Sequence, residues 1–142
     1  MSIATDLHTT LQGFCGTECY HKHWLPHVVY TDGVAYLAEH GKCYWLLDAI
    51  ASHLRMPSVV MRKRGERFAQ LHLWELRKLP EGSENMASLE AREDSGEKAV
   101  IRQLIPYTDF PFADGDKPFT LFAAAQDLGE RIVYVLMLPS EY

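Results

Sequence analysis

The stretch Ile132-Val133-Tyr134-Val135-Leu136-Met137-Leu138 decides how the rest of the chain is read. It is an unbroken apolar run rich in β-branched and aromatic residues, bounded by Gly129-Glu130-Arg131 before it and Pro139 after it. Such a run fits a strand buried on both faces, since a half-exposed strand would alternate polar with apolar. It is too short for a membrane span and unsuited to a free edge, where an apolar strand invites aggregation. Proline lacks the N–H that a ladder needs, so pairing should stop at Pro139.

Working back from that strand, four more segments read as strands: Phe68 to Leu79, Met86 to Glu93, Lys98 to Ile105 and Phe119 to Ala125. They are separated by turn-forming stretches such as Pro80-Glu81-Gly82-Ser83, Asp94-Ser95-Gly96-Glu97, Asp114-Gly115-Asp116 and Asp127-Leu128-Gly129-Glu130. Short turns between successive strands imply antiparallel pairing. The N-terminal half reads differently. A short helix is expected over 5–13, with Leu7 and Leu11 one turn apart and Gly13 as its stop. Val28-Val29-Tyr30 reads as a short extended piece. Thr31 or Asp32 should cap a helix over 33–40 that ends at Gly41. Over 42–55, Cys43, Leu46, Leu47, Ile50, His53 and Leu54 share one face of a helix, with Tyr44, Asp48, Ser52 and Arg55 opposite. Helices followed by strands predict an α+β domain over 1–142, with N-terminal helices packed on a C-terminal, mostly antiparallel sheet of about five strands.

The 142-residue chain is long enough to build one core without staples. It lacks a long apolar run and a basic, apolar leader, so a soluble cytoplasmic protein is expected. Three cysteines, an odd number, fit free thiols in a reducing compartment. The net charge of −5 opposes binding to a phosphate backbone. Residues 55–79 alone are basic, through Arg55, Arg62, Lys63, Arg64 and Arg67. Nucleic acid is therefore expected nowhere except at 55–67, where Arg62 and Arg64 are the candidate contacts.

Candidate metal ligands concentrate in one segment. Cys15, Cys19, His23 and His27 are the residue types that tetrahedral zinc takes, with His21, His40 and Cys43 near by. The spacing between the two pairs is too short for a zinc finger, and Pro26 keeps His23 and His27 off one regular helix. His53, on an apolar helix face, reads as a core histidine bonded to a backbone carbonyl rather than as a catalytic imidazole. Asp48 reads as a solvated or N-terminal-facing carboxylate, five residues from His53 and pointing away from it. Glu18, Asp32 and Asp109 read as turn or cap carboxylates. No phosphate-binding loop, nucleophile elbow or paired-histidine zinc motif is present. The loop Pro106 to Phe112 puts Tyr107, Phe110 and Phe112 in a segment stiffened by two prolines, and these are either the rigid aromatics that protein interfaces favour or rings that fold back to cap the core.

Six strings carry a resemblance: Phe14-Cys15-Gly16-Thr17-Glu18, His23-Trp24, Tyr30-Thr31-Asp32-Gly33-Val34, Tyr44 to His53, Tyr107-Thr108-Asp109-Phe110-Pro111 and Leu138-Pro139-Ser140-Glu141-Tyr142. Together they resemble an uncharacterised family of plasmids and integrative mobile elements. The resemblance implies a mobile-element setting and no assigned chemistry. The expectation that follows is a non-enzymatic, protein-binding accessory or inhibitor protein, directed at a host defence complex such as CRISPR. The alternative is a small zinc-dependent enzyme or zinc-stabilised domain built on residues 15–43.

Overall fold

A computed structural model describes Leu7, Thr10, Leu11 and Gly13 together with residues 20–54, 71–79, 86–94, 96–108, 110–112, 118–127 and 132–141. These form seven strands: β1 (His21–Lys22), β2 (Val28–Tyr30), β3 (Leu71–Lys78), β4 (Ala87–Arg92), β5 (Ala99–Ile105), β6 (Phe119–Asp127) and β7 (Ile132–Met137). The helices α1 (Asp32–His40) and α2 (Tyr44–His53) follow β2, and one 3₁₀ turn, Pro139–Glu141, follows β7. Leu7, Thr10 and Leu11 are helical, and the Gly13 N–H closes onto Thr10 O at 3.0 Å.

All seven strands join one sheet in the order β1-β2-β7-β6-β3-β4-β5. Six neighbouring pairs exist, and β2 with β7 is parallel while the rest are antiparallel. This corrects the expected architecture of helices laid on a five-stranded antiparallel sheet. The sheet is larger and mixed, the bounded helices are two and short, and the N-terminal segment supplies strands of its own. The physical reason lies in β1 and β2. Val28-Val29-Tyr30 is extended as expected, but two and three residues carry no readable period, and nothing local tells that β2 pairs with β1 on one side and with Tyr134, Val135 and Leu136 on the other. The five strands read from the C-terminal half are all present within a few residues of their expected ends.

β7 sits between β2 and β6, with Val133, Tyr134, Val135 and Leu136 all buried. The apolar run is thus an interior strand, and pairing ends before Pro139 as a missing donor requires. Alternation sorts the sheet into two faces. Trp74, Leu76, Leu89, Ala91, Leu121, Ala123 and Leu136 join the helices' Val34, Leu37, Leu46, Leu47, Ile50 and Leu54 in one core. The reverse face carries Leu73, Glu75, Ser88 and Glu90, also buried.

α2 buries Leu46, Leu47, Ile50 and Ala51, and Leu54 just beyond it, as its apolar spacing demands. Burial of each large aliphatic stabilises by about 1.5–3 kcal/mol. α1 begins at Thr31, whose hydroxyl accepts from the Val34 N–H at 3.3 Å. It ends at Gly41, where an added Cβ would stand 2.7 Å from Leu37 O. Gly41 is there for this close approach, since the left-handed turn between the helices falls on Lys42 (φ 52°). No helix among the described residues is long and apolar enough to cross a membrane.

Candidate binding surfaces

The β1–β2 hairpin is clamped onto α2 by its tip. The His23 N–H bonds Val28 O at 3.2 Å, and the Leu25 N–H donates to His23 Nδ1 at 3.0 Å. Because Nδ1 accepts, the ring proton sits on Nε2, which donates to Asp48 Oδ1 at 2.7 Å. The indole N–H of Trp24 reaches the same oxygen at 2.9 Å. His27 Nε2 donates to Ala51 O at 2.8 Å, one turn further along the same helix. Asp48 was expected to be a solvated or N-terminal-facing carboxylate. Its side chain is 49% exposed, yet one oxygen holds two donors from the hairpin. Trp24 remains 74% exposed.

These bonds bear on the zinc reading. Both ring nitrogens of His23 are engaged, so a metal would have to displace Asp48 or the Leu25 amide. His27 presents its Nε2 to a carbonyl. Cys43 is wholly buried, its thiol donating to Leu37 O at 3.5 Å, and His40 stacks on Tyr36. His21 stacks on Tyr30 and bonds Asp32 Oδ1 at 2.9 Å. Among the described residues, no three His, Cys, Asp or Glu side chains converge as metal ligands do. Cys15, Cys19, Glu18, Asp109, the Asp114-Gly115-Asp116 turn and the basic stretch with Arg62 and Arg64 lie outside the described residues.

At the far end of the sheet, β5 pairs with β4 alone, and among the described residues no strand covers its outer edge. Seven residues without proline, carrying one charge at Arg102, present that edge. Val100, at the register shift, and Leu104 are both exposed, Leu104 at 56%, and Tyr107 follows at 70%. The aromatic loop therefore divides. Phe110 is buried against Phe112 and Phe119 at ring separations of 4.9 and 5.1 Å, while Tyr107 stands in solvent. The Thr108 hydroxyl accepts from the Phe110 N–H at 3.0 Å and turns the chain inward. From the inner face, Gln103 Oε1 meets His53 Nε2 at 2.6 Å. His53 thus bonds a side-chain amide of β5, where a backbone carbonyl was expected, and ties α2 to the edge strand.

A charge network that sequence reading did not single out occupies the reverse face. Glu75 and Glu90 stand opposite each other on β3 and β4. Arg92 lies between them, with Nε 2.8 Å from Glu75 Oε1, Nη2 on Glu90 Oε1 and Nη1 on Glu97 O at 2.7 Å. Ser88 donates to Glu90 Oε2 at 3.1 Å, and Arg102 Nε lies 3.5 Å from it. Arg92 stands within ion-pair distance of both carboxylates, which is what permits burial, although Glu75 Oε1 and Arg92 Nε are not aligned as a hydrogen bond. Alternation was the available signal: Glu75, Glu90 and Arg92 each fall on the non-core phase of their strand.

At the other end of the molecule, two of the motif strings interlock. Glu141, from the 3₁₀ turn, accepts from the Thr31 hydroxyl at 2.6 Å, the Gly33 N–H at 3.2 Å and the Leu138 N–H at 3.0 Å. A Cβ on Gly33 would come within 2.6 Å of Glu141 Oε1, so the glycine makes room for the carboxylate.

Among the described residues, the fold and its surfaces define a mixed-sheet protein with helices packed on one face, whose open features are an edge strand and exposed aromatics. The chain belongs to a family of unknown function, DUF6876, whose model matches residues 5–142. No curated protein and no solved structure matches it.

Proposed function

We propose that this protein is a non-enzymatic protein-binding module that takes its partner along the outer edge of β5. The single observation that carries the reading is the outer edge of β5, which no strand among the described residues covers, flanked by exposed Val100, Leu104 and Tyr107. Unpaired backbone groups on a sheet edge give affinity to an added strand, and alternate side chains give it specificity. Proteins usually blunt such edges with charge, proline or a bulge, and β5 carries a register shift only at its start, between Ala99 and Ile101. β5 has one charge and no proline. Tyr107 adds a rigid ring beside the strand's end, the residue type enriched at interface hot spots.

On the strength of the sequence resemblance, we read the setting as a mobile genetic element and the role as accessory or inhibitory, directed at a host defence complex. The engagement of His23, His27 and His53 in the fold supports a binding role over a catalytic one. The test is affinity purification from a native host, using wild type and a Leu104→Lys/Tyr107→Ala variant. One stoichiometric partner should be recovered by wild type and lost by the variant, with both proteins melting alike. Hydrogen exchange on the complex should slow at β5. A partner kept by the variant with β5 exchange unchanged rejects the edge.

A further inference from the structure

We propose that Trp24 and Asp48 form a receptor for one basic side chain, a guanidinium, presented by a protein ligand. The surface lies by β1 and β2, at the opposite end of the sheet from β5, and stands on observations of its own. Asp48 Oδ1 is held by the His23 Nε2–H and the Trp24 indole N–H. Both donors are neutral groups in this arrangement, because the Leu25 N–H occupies His23 Nδ1. They orient the carboxylate without neutralising it. The second oxygen stays available on a side chain half in solvent.

The same bond that fixes Asp48 fixes the indole. A tryptophan three-quarters exposed would ordinarily sample several rotamers, and here its N–H is anchored beside a full negative charge. An aromatic face next to an oriented carboxylate matches a guanidinium, which stacks on the ring and pairs with the oxygen. Tyr44 stands one helical turn before Asp48 on α2, and side chains four apart are neighbours. Its ring is about half exposed, and its hydroxyl donates to Glu39 Oε2 at 3.2 Å. The net charge of −5 favours approach of a cationic partner. Much of the ordering that binding costs is already met in the free protein.

The probe is N-acetyl-arginine methylamide, with its neutral citrulline counterpart as control. Binding is followed by the indole N–H resonances of the three tryptophans. A saturable shift confined to Trp24, weakening as salt is raised, is expected for arginine and absent for citrulline. Asp48→Asn keeps an acceptor for His23 and Trp24 but removes the charge, and should weaken binding about ten-fold or more. Equal binding of citrulline, no saturable shift, or full affinity in a folded Asp48→Asn protein overturns the proposal. Should Asp48→Asn melt early, Trp24→Ala at an exposed position decides instead. Arginine binding read at the Ala49 amide must vanish, and its persistence overturns the proposal. Loss of partner binding at β5 leaves this outcome untouched.

Discussion

The Thr31 hydroxyl and the Glu141 carboxylate, 110 residues apart in sequence, meet at 2.6 Å at the N-terminus of α1. The carboxylate does the work of a capping side chain while coming from the other end of the described chain. It meets an N-terminus whose unpaired N–H groups and partial positive charge favour an anion. Glu141→Ala should therefore cost about 1–2 kcal/mol. Truncation after Leu138 should cost at least as much. Denaturant unfolding measures both, and a truncated protein as stable as wild type would remove the cap from the account.

Ile50 is wholly buried at the centre of α2. Ile50→Asp places an unpaired carboxylate there, a change expected to exceed about 4 kcal/mol and to unfold a protein of ordinary stability. Circular dichroism at ambient temperature reads the outcome. A folded variant with unchanged melting would show that this face of α2 is not the core face.

Arg92 bridges Glu75 and Glu90, two carboxylates set opposite each other on adjacent strands. Arg92→Met should destabilise by up to about 3–5 kcal/mol, since it removes the cation shared by two buried like charges. Among the described residues it leaves Glu75 only Arg77, and Glu90 only Ser88 and Arg102. Adding Glu75→Gln and Glu90→Gln to that variant should recover part of the loss. Absence of any recovery would mean that the arginine acts through its packing alone.

Burial raises the Tyr134 phenol above its ordinary value of 10.0. The folded state then keeps its proton at a pH where the unfolded state has lost it. Its contribution is fully present below pH 10 and falls as pH climbs through the raised value. Tyr134→Phe should flatten the stability profile above pH 10 relative to wild type. Urea midpoints across that range test this, and parallel profiles would assign the alkaline loss elsewhere.

The legible parts of the fold were those with long periods. The five C-terminal strands and the apolar face of α2 each repeat a pattern over six or more residues, and burial follows it. Of the short strands, Val28-Val29-Tyr30 could be read as extended but not placed, since its parallel partner β7 lies more than a hundred residues away, and β1, paired to β2 alone, is two residues with no period. The two candidate surfaces were half legible for the same reason. Tyr107 could be named from its loop, but Phe110 differs from it only through the turn that Thr108 makes. Asp48 looked like surface because helix geometry alone points it outward. Nothing local says that a hairpin tip will fold over it, and the bonds from His23 and Trp24 are tertiary.

The parallel contact of β2 with β7 has a kinetic side. The middle of the sheet is built from strands far apart along the chain, and the loop between them must close before any of their ladder bonds form. Such topologies reach the native state slowly, and the wait leaves the apolar β7 segment paired to β6 at most, without β2 on its other side. It also makes the two halves interdependent. A fragment ending after α2 carries β2 with no β7 to pair with, and a fragment starting at β3 lacks the strand that covers one side of β7. Neither piece closes its own sheet, so mixing them should restore structure that each lacks by itself.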